Sequence, residues 1–212
     1  FDIEENLYFS ILPTATQYAR NAIFAGLMPE KIRQMYPDLW VDEDEDEGKN
    51  LQEEALIRHQ LERYRRKEHF TYNKINDSQA ADHILSTSRM VRELAGGEAA
   101  FRSITLSWFR HTAIKELFRA LSLLDYEIVI TTDHGSIRAT SPIKVVGDRN
   151  VNTNLRYKLG KNLSYNPKEV IEVKRPDRFG LPAPNLSTTY IFAQGDKFFA
   201  YPNNYNYYVT YY

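Results

Sequence analysis

Two short segments of this 212-residue chain carry side chains suited to chemistry. The first is Pro13-Thr14-Ala15-Thr16-Gln17-Tyr18-Ala19-Arg20-Asn21, which stands where a short apolar stretch gives way to helical periodicity. A hydroxyl at a helix N-terminus faces N–H groups that have no helical acceptor and the positive end of the dipole. That setting favours an anion, and it can support a threonine alkoxide beside a metal. The plain alternative is that Thr14 or Thr16 is an N-cap and nothing more. The second segment is Ile128-Val129-Ile130-Thr131-Thr132-Asp133-His134-Gly135, an apolar run that ends in adjacent Asp and His. Carboxylate and neutral imidazole are both good zinc ligands. Open α/β sheets bind ligands at the C-terminal ends of their strands. Glycine after the pair lets the backbone turn sharply.

The elements that must position these residues follow from the pattern. Residues 8–12 read as a short buried strand that Pro13 ends. A helix is expected over 15–27, with Ala19, Ala22, Ile23 and Gly26 on one side. Met28-Pro29-Glu30 breaks it and starts another, which Pro37 ends. The acidic run 42–47 reads as a solvated loop. Helices are expected over 51–66, 79–85 and 87–95. The strongest helical pattern covers 98–124, where Trp108, Phe109, Leu117, Phe118, Leu121 and Leu124 recur at helical spacing and read as core. Residues 126–132 are a continuous apolar run, the signature of a strand covered on both faces in a parallel sheet.

After Asp133 the texture changes to turn residues, Tyr and Asn. Strands are expected at 143–146, 170–174, 188–193, 198–201 and 207–211. The expected class is α/β, a parallel sheet between helices with a strand-rich C-terminal part. There is no internal repeat. The sequence stops inside an apparent strand and shows no apolar strand between 70 and 98. The expectation is therefore a domain incomplete at both ends, with an internal gap in that interval.

Composition narrows the chemistry. Cysteine is absent, which excludes disulfides and thiolate zinc sites and leaves His, Asp, Glu and hydroxyls as metal ligands. No apolar run approaches the ~18 residues of a membrane helix. The first ten residues carry acids where a signal peptide has a basic region, so membrane insertion is not expected and a cytoplasmic location is. The net charge of −1 conceals a gradient. Residues 1–50 hold 11 acidic and 4 basic side chains, and residues 101–212 hold 9 acidic and 15 basic. The C-terminal half therefore suits a polyanion such as a nucleotide backbone. Arg20, Lys144, Arg149, Arg156 and Lys158 lie within or after the two segments. Each alone is more often a surface charge.

Together the segments resemble the alkaline phosphatase superfamily, which places a Thr or Ser nucleophile at a strand–helix junction and an Asp-His-Gly metal motif after a later strand. Gly26-Leu27-Met28-Pro29, following Thr16, is similar to the nucleotide pyrophosphatase branch. The stretch Ile11-Leu12-Pro13-Thr14-Ala15-Thr16-Gln17-Tyr18-Ala19-Arg20-Asn21 looks closer still to the PglZ domain. So do Asp148-Arg149-Asn150 and Asn152-Thr153-Asn154-Leu155-Arg156-Tyr157-Lys158. In that order they resemble the PglZ effector domain of PorX-type response regulators, from about residue 8 to 212, and residues 1–212 are expected to form one such domain.

The resemblance implies that Thr16 is the nucleophile and that Thr16, Asp133 and His134 bind zinc, with two zinc ions in the intact protein. Gln17, through its N–H, and Asn21 would hold a phosphate oxygen, and Arg20, Lys144, Arg149 and Arg156 would contact substrate phosphate. It implies a zinc-dependent phosphodiesterase, or the related monoesterase, acting on cyclic or short linear oligonucleotides. It also implies a homodimer within two-component signalling linked to type IX secretion, with secretion-system or sigma-factor partners. Three family ligands are not found: an upstream Asp, a middle Asp/His motif and a last His. Asp82-His83 is the nearest substitute and reads as structural. That gap keeps a second class open, a nucleotide- or partner-binding regulatory module with a reduced metal site.

Overall fold

The computed structural model describes residues 6, 10–41, 52–72, 98–135, 137–147, 151–152 and 154–201. The expectations for 42–47, 79–85, 87–95 and 207–211 lie outside these residues, as do Asp82-His83, Arg149 and the first two residues, Tyr8 and Phe9, of the strand expected at 8–12. The chain divides into two compact units. One joins Phe1–His69 to Thr132–Tyr212, and the other is Phe70–Thr131.

In the first unit, helix α1 spans Thr16–Ala25. It stops at Gly26, whose φ of +59° is left-handed and whose N–H closes on the Ala22 carbonyl at 2.8 Å. A side chain at that positive φ would be strained, so the left-handed cap favours glycine there. Pro29 then opens α2, Pro29–Met35, at the position where its missing N–H costs nothing. A single 3₁₀ turn, Pro37–Leu39, follows. Helix α3 spans Glu53–Arg63. Its Arg63 reaches the last carbonyl of α1, donating from Nη2 to Ala25 O at 2.5 Å.

Five strands are found among the described residues of this unit. Strand β1, Ser141–Lys144, pairs in parallel with β5, Lys197–Ala200. Strands β2, Tyr157–Gly160, and β3, Val170–Val173, flank β4, Thr189–Ala193, in an antiparallel sheet of order β2-β4-β3. Strand β4 is buried on both faces. Tyr190 and Phe192 point into a core with Tyr18, Ile32, Trp40, Leu56 and Tyr157, while Ile191 and Ala193 point into a second with Ile143, Val145, Val170 and Phe199. Period-two alternation sends successive side chains to opposite faces, so a strand with a core on each side is apolar throughout. The class is α/β, with helices, a parallel pair and an antiparallel sheet.

Strands 143–146, 170–174, 188–193 and 198–201 agree with β1, β3, β4 and β5 within two residues. Strand β2 is not among the strands expected from the sequence. Ser10, Ile11 and Leu12 are not strand, and Leu12 is half exposed.

In the second unit, the helical region expected over 98–124 forms two helices, α4 at Glu98–His111 and α5 at Ala113–Leu121. Thr112 leaves the helical region, with φ −94° and ψ 158°. Its hydroxyl turns back to the Phe109 carbonyl at 3.1 Å, a local bond that competes with the helix. The six apolar residues assigned to the core are not buried. Phe109, Leu117 and Leu124 are exposed, and Trp108, Phe118 and Leu121 are half-buried. Helical spacing gathers apolar groups on one face, but burial requires an opposing surface, and α4 and α5 are the regular elements described in this unit.

Residues 126–132 are likewise not a strand, and Val129 and Ile130 are 80% and 78% exposed. Among the described residues no strand pairs with them, and a β-run without a partner has nothing to satisfy its backbone.

Next to β3, Tyr165 donates its phenol to Glu172, which also pairs with Lys174 at 3.1 Å. Burial first, and then this hydrogen bond and the carboxylate charge, push Tyr165 from 10.0 up to about 12. Between those values the unfolded phenol has lost its proton while the folded one keeps it. The contribution is therefore full below pH 10 and is lost as pH rises towards 12. Tyr165→Phe is expected to flatten the fall of the urea midpoint over that window. Equal slopes in the two proteins would refute the assignment.

Candidate functional site

The N-terminal end of α1 is not capped as the sequence suggests. Ala15, extended at φ −69° and ψ 148°, holds the N-cap position without a side-chain bond, so neither Thr14 nor Thr16 is the cap. Thr16 is the first helical residue. Its hydroxyl lies 3.1 Å from His134 Nε2 instead of being turned onto its own helix. The Thr132 hydroxyl donates to the His134 carbonyl at 2.6 Å, tightening the turn that carries Asp133 and His134. His134 Nε2 is also 3.8 Å from Asp133 Oδ1.

Arg20 lies one helical turn after Thr16, on the same side of α1. Its Nε donates to Asp133 Oδ2 at 3.2 Å, and its Nη1 donates to Glu53 Oε1 at 3.1 Å. One guanidinium thus stands between two carboxylates. Glu53 is the residue that the sequence reading missed. Acids are routine in a first helical turn, and α3 has two in sequence. Glu53 turns inward and Glu54 pairs with Arg58 in solvent, a choice that only the packing of α3 makes visible.

Thr16 Oγ1 and Asp133 Oδ1 both lie within 4 Å of His134 Nε2. Two oxygens and an imidazole nitrogen suit zinc, so the residues fit the metal that the superfamily implies. Among the described residues no three His, Asp or Glu side chains gather to hold an ion, so a cation here would use the threonine hydroxyl.

The remaining expected contacts are distributed more widely. Gln17 is half-buried, and its N–H belongs to the first turn, where helical amides have no acceptor of their own. Asn21 is fully buried on α1, which favours a role in holding the helix over contact with a phosphate. Lys144 is exposed at the end of β1. Arg156 donates from Nη1 to the carbonyl of Lys197. Lys158 is buried, donating to Asn152 O at 2.7 Å over the Tyr201 ring. Asn152 and Asn154 accept from the backbone of Leu159 and Arg156, so this polar stretch shapes the entry to β2.

A family model described as the BREX system PglZ alkaline phosphatase-like domain matches residues 1–210. The chain belongs to the PglZ family. No curated protein matches it in a search of those proteins. The PglZ domain is alkaline phosphatase-like, a superfamily of phosphoesterase type, and in this chain the match contains Thr16, Asp133 and His134. Among the described residues, no helix of this PglZ domain is long and apolar enough to cross a membrane.

Proposed function

We propose that this PglZ domain is a zinc-dependent phosphodiesterase that cleaves cyclic or short linear oligonucleotides with Thr16 as nucleophile. The observation that carries the reading is the Thr16 hydroxyl, at the start of α1, hydrogen-bonded to His134 Nε2 with Asp133 beside it. Thr16, Asp133 and His134 would hold the ion, and bound zinc would supply positive charge against which the hydroxyl gives up its proton more readily. Thr16 Oγ1 then attacks phosphorus opposite the leaving alcohol. The Oγ1–P bond forms as the P–O bond to that alcohol breaks, and the alcohol leaves with a proton. Water hydrolyses the phosphothreonine, releasing a phosphomonoester and restoring the hydroxyl. The first-turn N–H of Gln17 would donate to a non-bridging oxygen. The basic excess after residue 100, with Lys144, Arg149 and Arg156 within it, suits a polyanionic substrate.

Resemblance to PorX-type proteins supports a wider role. The domain would be a cytoplasmic, homodimeric effector of a response regulator linked to type IX secretion, with secretion-system or sigma-factor partners.

The test compares bis(p-nitrophenyl) phosphate with p-nitrophenyl phosphate, using the full chain with zinc and then with a chelator. Faster turnover of the diester, abolished by the chelator and restored by zinc, is the expected result. Turnover of neither ester with zinc would overturn the enzymatic reading. Nucleotide binding in that protein would instead establish the regulatory module.

A further inference from the structure

We propose that Glu53 is a positioning residue that acts through Arg20 to fix the Asp133 carboxylate, and so sets the affinity of the Thr16–Asp133–His134 cluster for a divalent cation. The inference rests on the metal-binding reading above and adds a residue outside the ligand set. Asp133 has two oxygens with different neighbours. Oδ2 accepts from Arg20 Nε at 3.2 Å, and Oδ1 faces His134 Nε2 at 3.8 Å. A carboxylate free to rotate would exchange them. With Oδ2 held, Oδ1 stays turned to His134 Nε2, the nitrogen that the Thr16 hydroxyl also meets.

Arg20 can hold Oδ2 only if its own plane is fixed. Glu53 Oε1 accepts from Nη1 at 3.1 Å, so the guanidinium is gripped on two edges by carboxylates from different segments. The grip comes from the inner side. The Glu53 side chain is 7% exposed, that of Arg20 is 32% exposed, and that of Asp133 is 17% exposed. A carboxylate this buried is strongly held to its cation, because leaving it unpaired is costly. The rigid fork of arginine can span two acids at once, which a lysine ammonium on a flexible stem does poorly. Partners of this kind, one step behind the ligands, typically change metal affinity by about 10–100-fold when removed.

The experiment is a double-mutant cycle on the full chain, reading zinc affinity by competition with a chromogenic chelator and folding by thermal unfolding. Glu53→Gln keeps the shape of the side chain but removes the charge that strengthens its grip on Arg20, and it is expected to weaken zinc binding about tenfold. In an Arg20→Gln background the same change is expected to alter affinity by less than about twofold, because the intermediary is gone. A general loss of negative charge would act equally in both backgrounds, so equal effects would overturn the proposal. Unchanged zinc affinity in a folded Glu53→Gln variant would overturn it too and leave the catalytic reading standing. If the wild-type chain binds no zinc, both fall together. Should Glu53→Gln fail to fold, Arg20→Lys takes its place. That variant retains the charge and loses the fork, and an affinity equal to wild type would be fatal.

Discussion

Thr16→Val is expected to lower kcat/KM for the diester by at least about 10³-fold while leaving the protein folded, because removal of a nucleophile abolishes the step that only it performs. Valine keeps the β-branched shape of threonine, so α1 loses no packing. Ala15, not Thr16, holds the cap position, so the helix loses no cap either. What disappears is the oxygen 3.1 Å from His134 Nε2. That bond is exposed, and its loss alone costs at most about 1 kcal/mol. A small change in stability beside a large change in rate is the signature of a group that acts on substrate. Thr16→Ser keeps an oxygen at the same place and is expected to retain turnover. Steady-state rates on bis(p-nitrophenyl) phosphate, with unfolding curves for each variant, decide the matter. Wild-type turnover in Thr16→Val would remove the nucleophile from the mechanism.

The site and the fold were legible to different depths. Short-range rules singled out Thr16, Asp133 and His134, as a hydroxyl where a helix begins and an acid–imidazole pair followed by glycine, and the resemblance to the superfamily gave them their expected roles. The structure joins them, and it adds Arg20 as the bridge between Asp133 and Glu53. Glu53 could not be read, since its neighbour Glu54 is the same residue type and only burial separates their roles. Strands β3 to β5 were legible because apolar, β-branched and aromatic residues cluster there between turns. Strand β2 was masked by the asparagines that shape its entry.

The largest misreading concerns residues 126–132, where intrinsic preference pointed to a buried strand. Pairing makes strands, and among the described residues nothing pairs with that run. Local sequence states what a segment could bury, and the surrounding chain decides whether it does. The same holds for the apolar face of α4 and α5.

Tyr18→Ala is expected to cost about 3–5 kcal/mol of stability, the range for emptying a fully packed aromatic site. Tyr18 is two residues after Thr16 and buried on the core-facing side of α1. Its ring meets Trp40, Tyr157 and Tyr190 edge to face, with centroids at 5.7, 6.0 and 6.4 Å. Those three rings come from the segment after α2, from β2 and from β4, so one side chain ties the site's helix to the sheet. Edge-to-face contacts add about 0.5–1.5 kcal/mol each to the area buried, and alanine forfeits all of them. The hydroxyl matters less. It donates to Tyr190 Oη at 3.3 Å, and that phenol donates in turn to Pro182 O at 2.8 Å. Tyr18→Phe is therefore expected to cost only about 0.5–1.5 kcal/mol and to keep its turnover. Tyr157 supplies the contrast, since its phenol is buried with no hydrogen-bond partner among the described residues, so phenylalanine there should cost nothing. Urea unfolding of the three variants checks the ranking. If Tyr18→Ala proves as stable as Tyr18→Phe, then the ring cluster does not anchor α1, and the position of Thr16 must be set by its contacts with His134 and the Arg20 bridge.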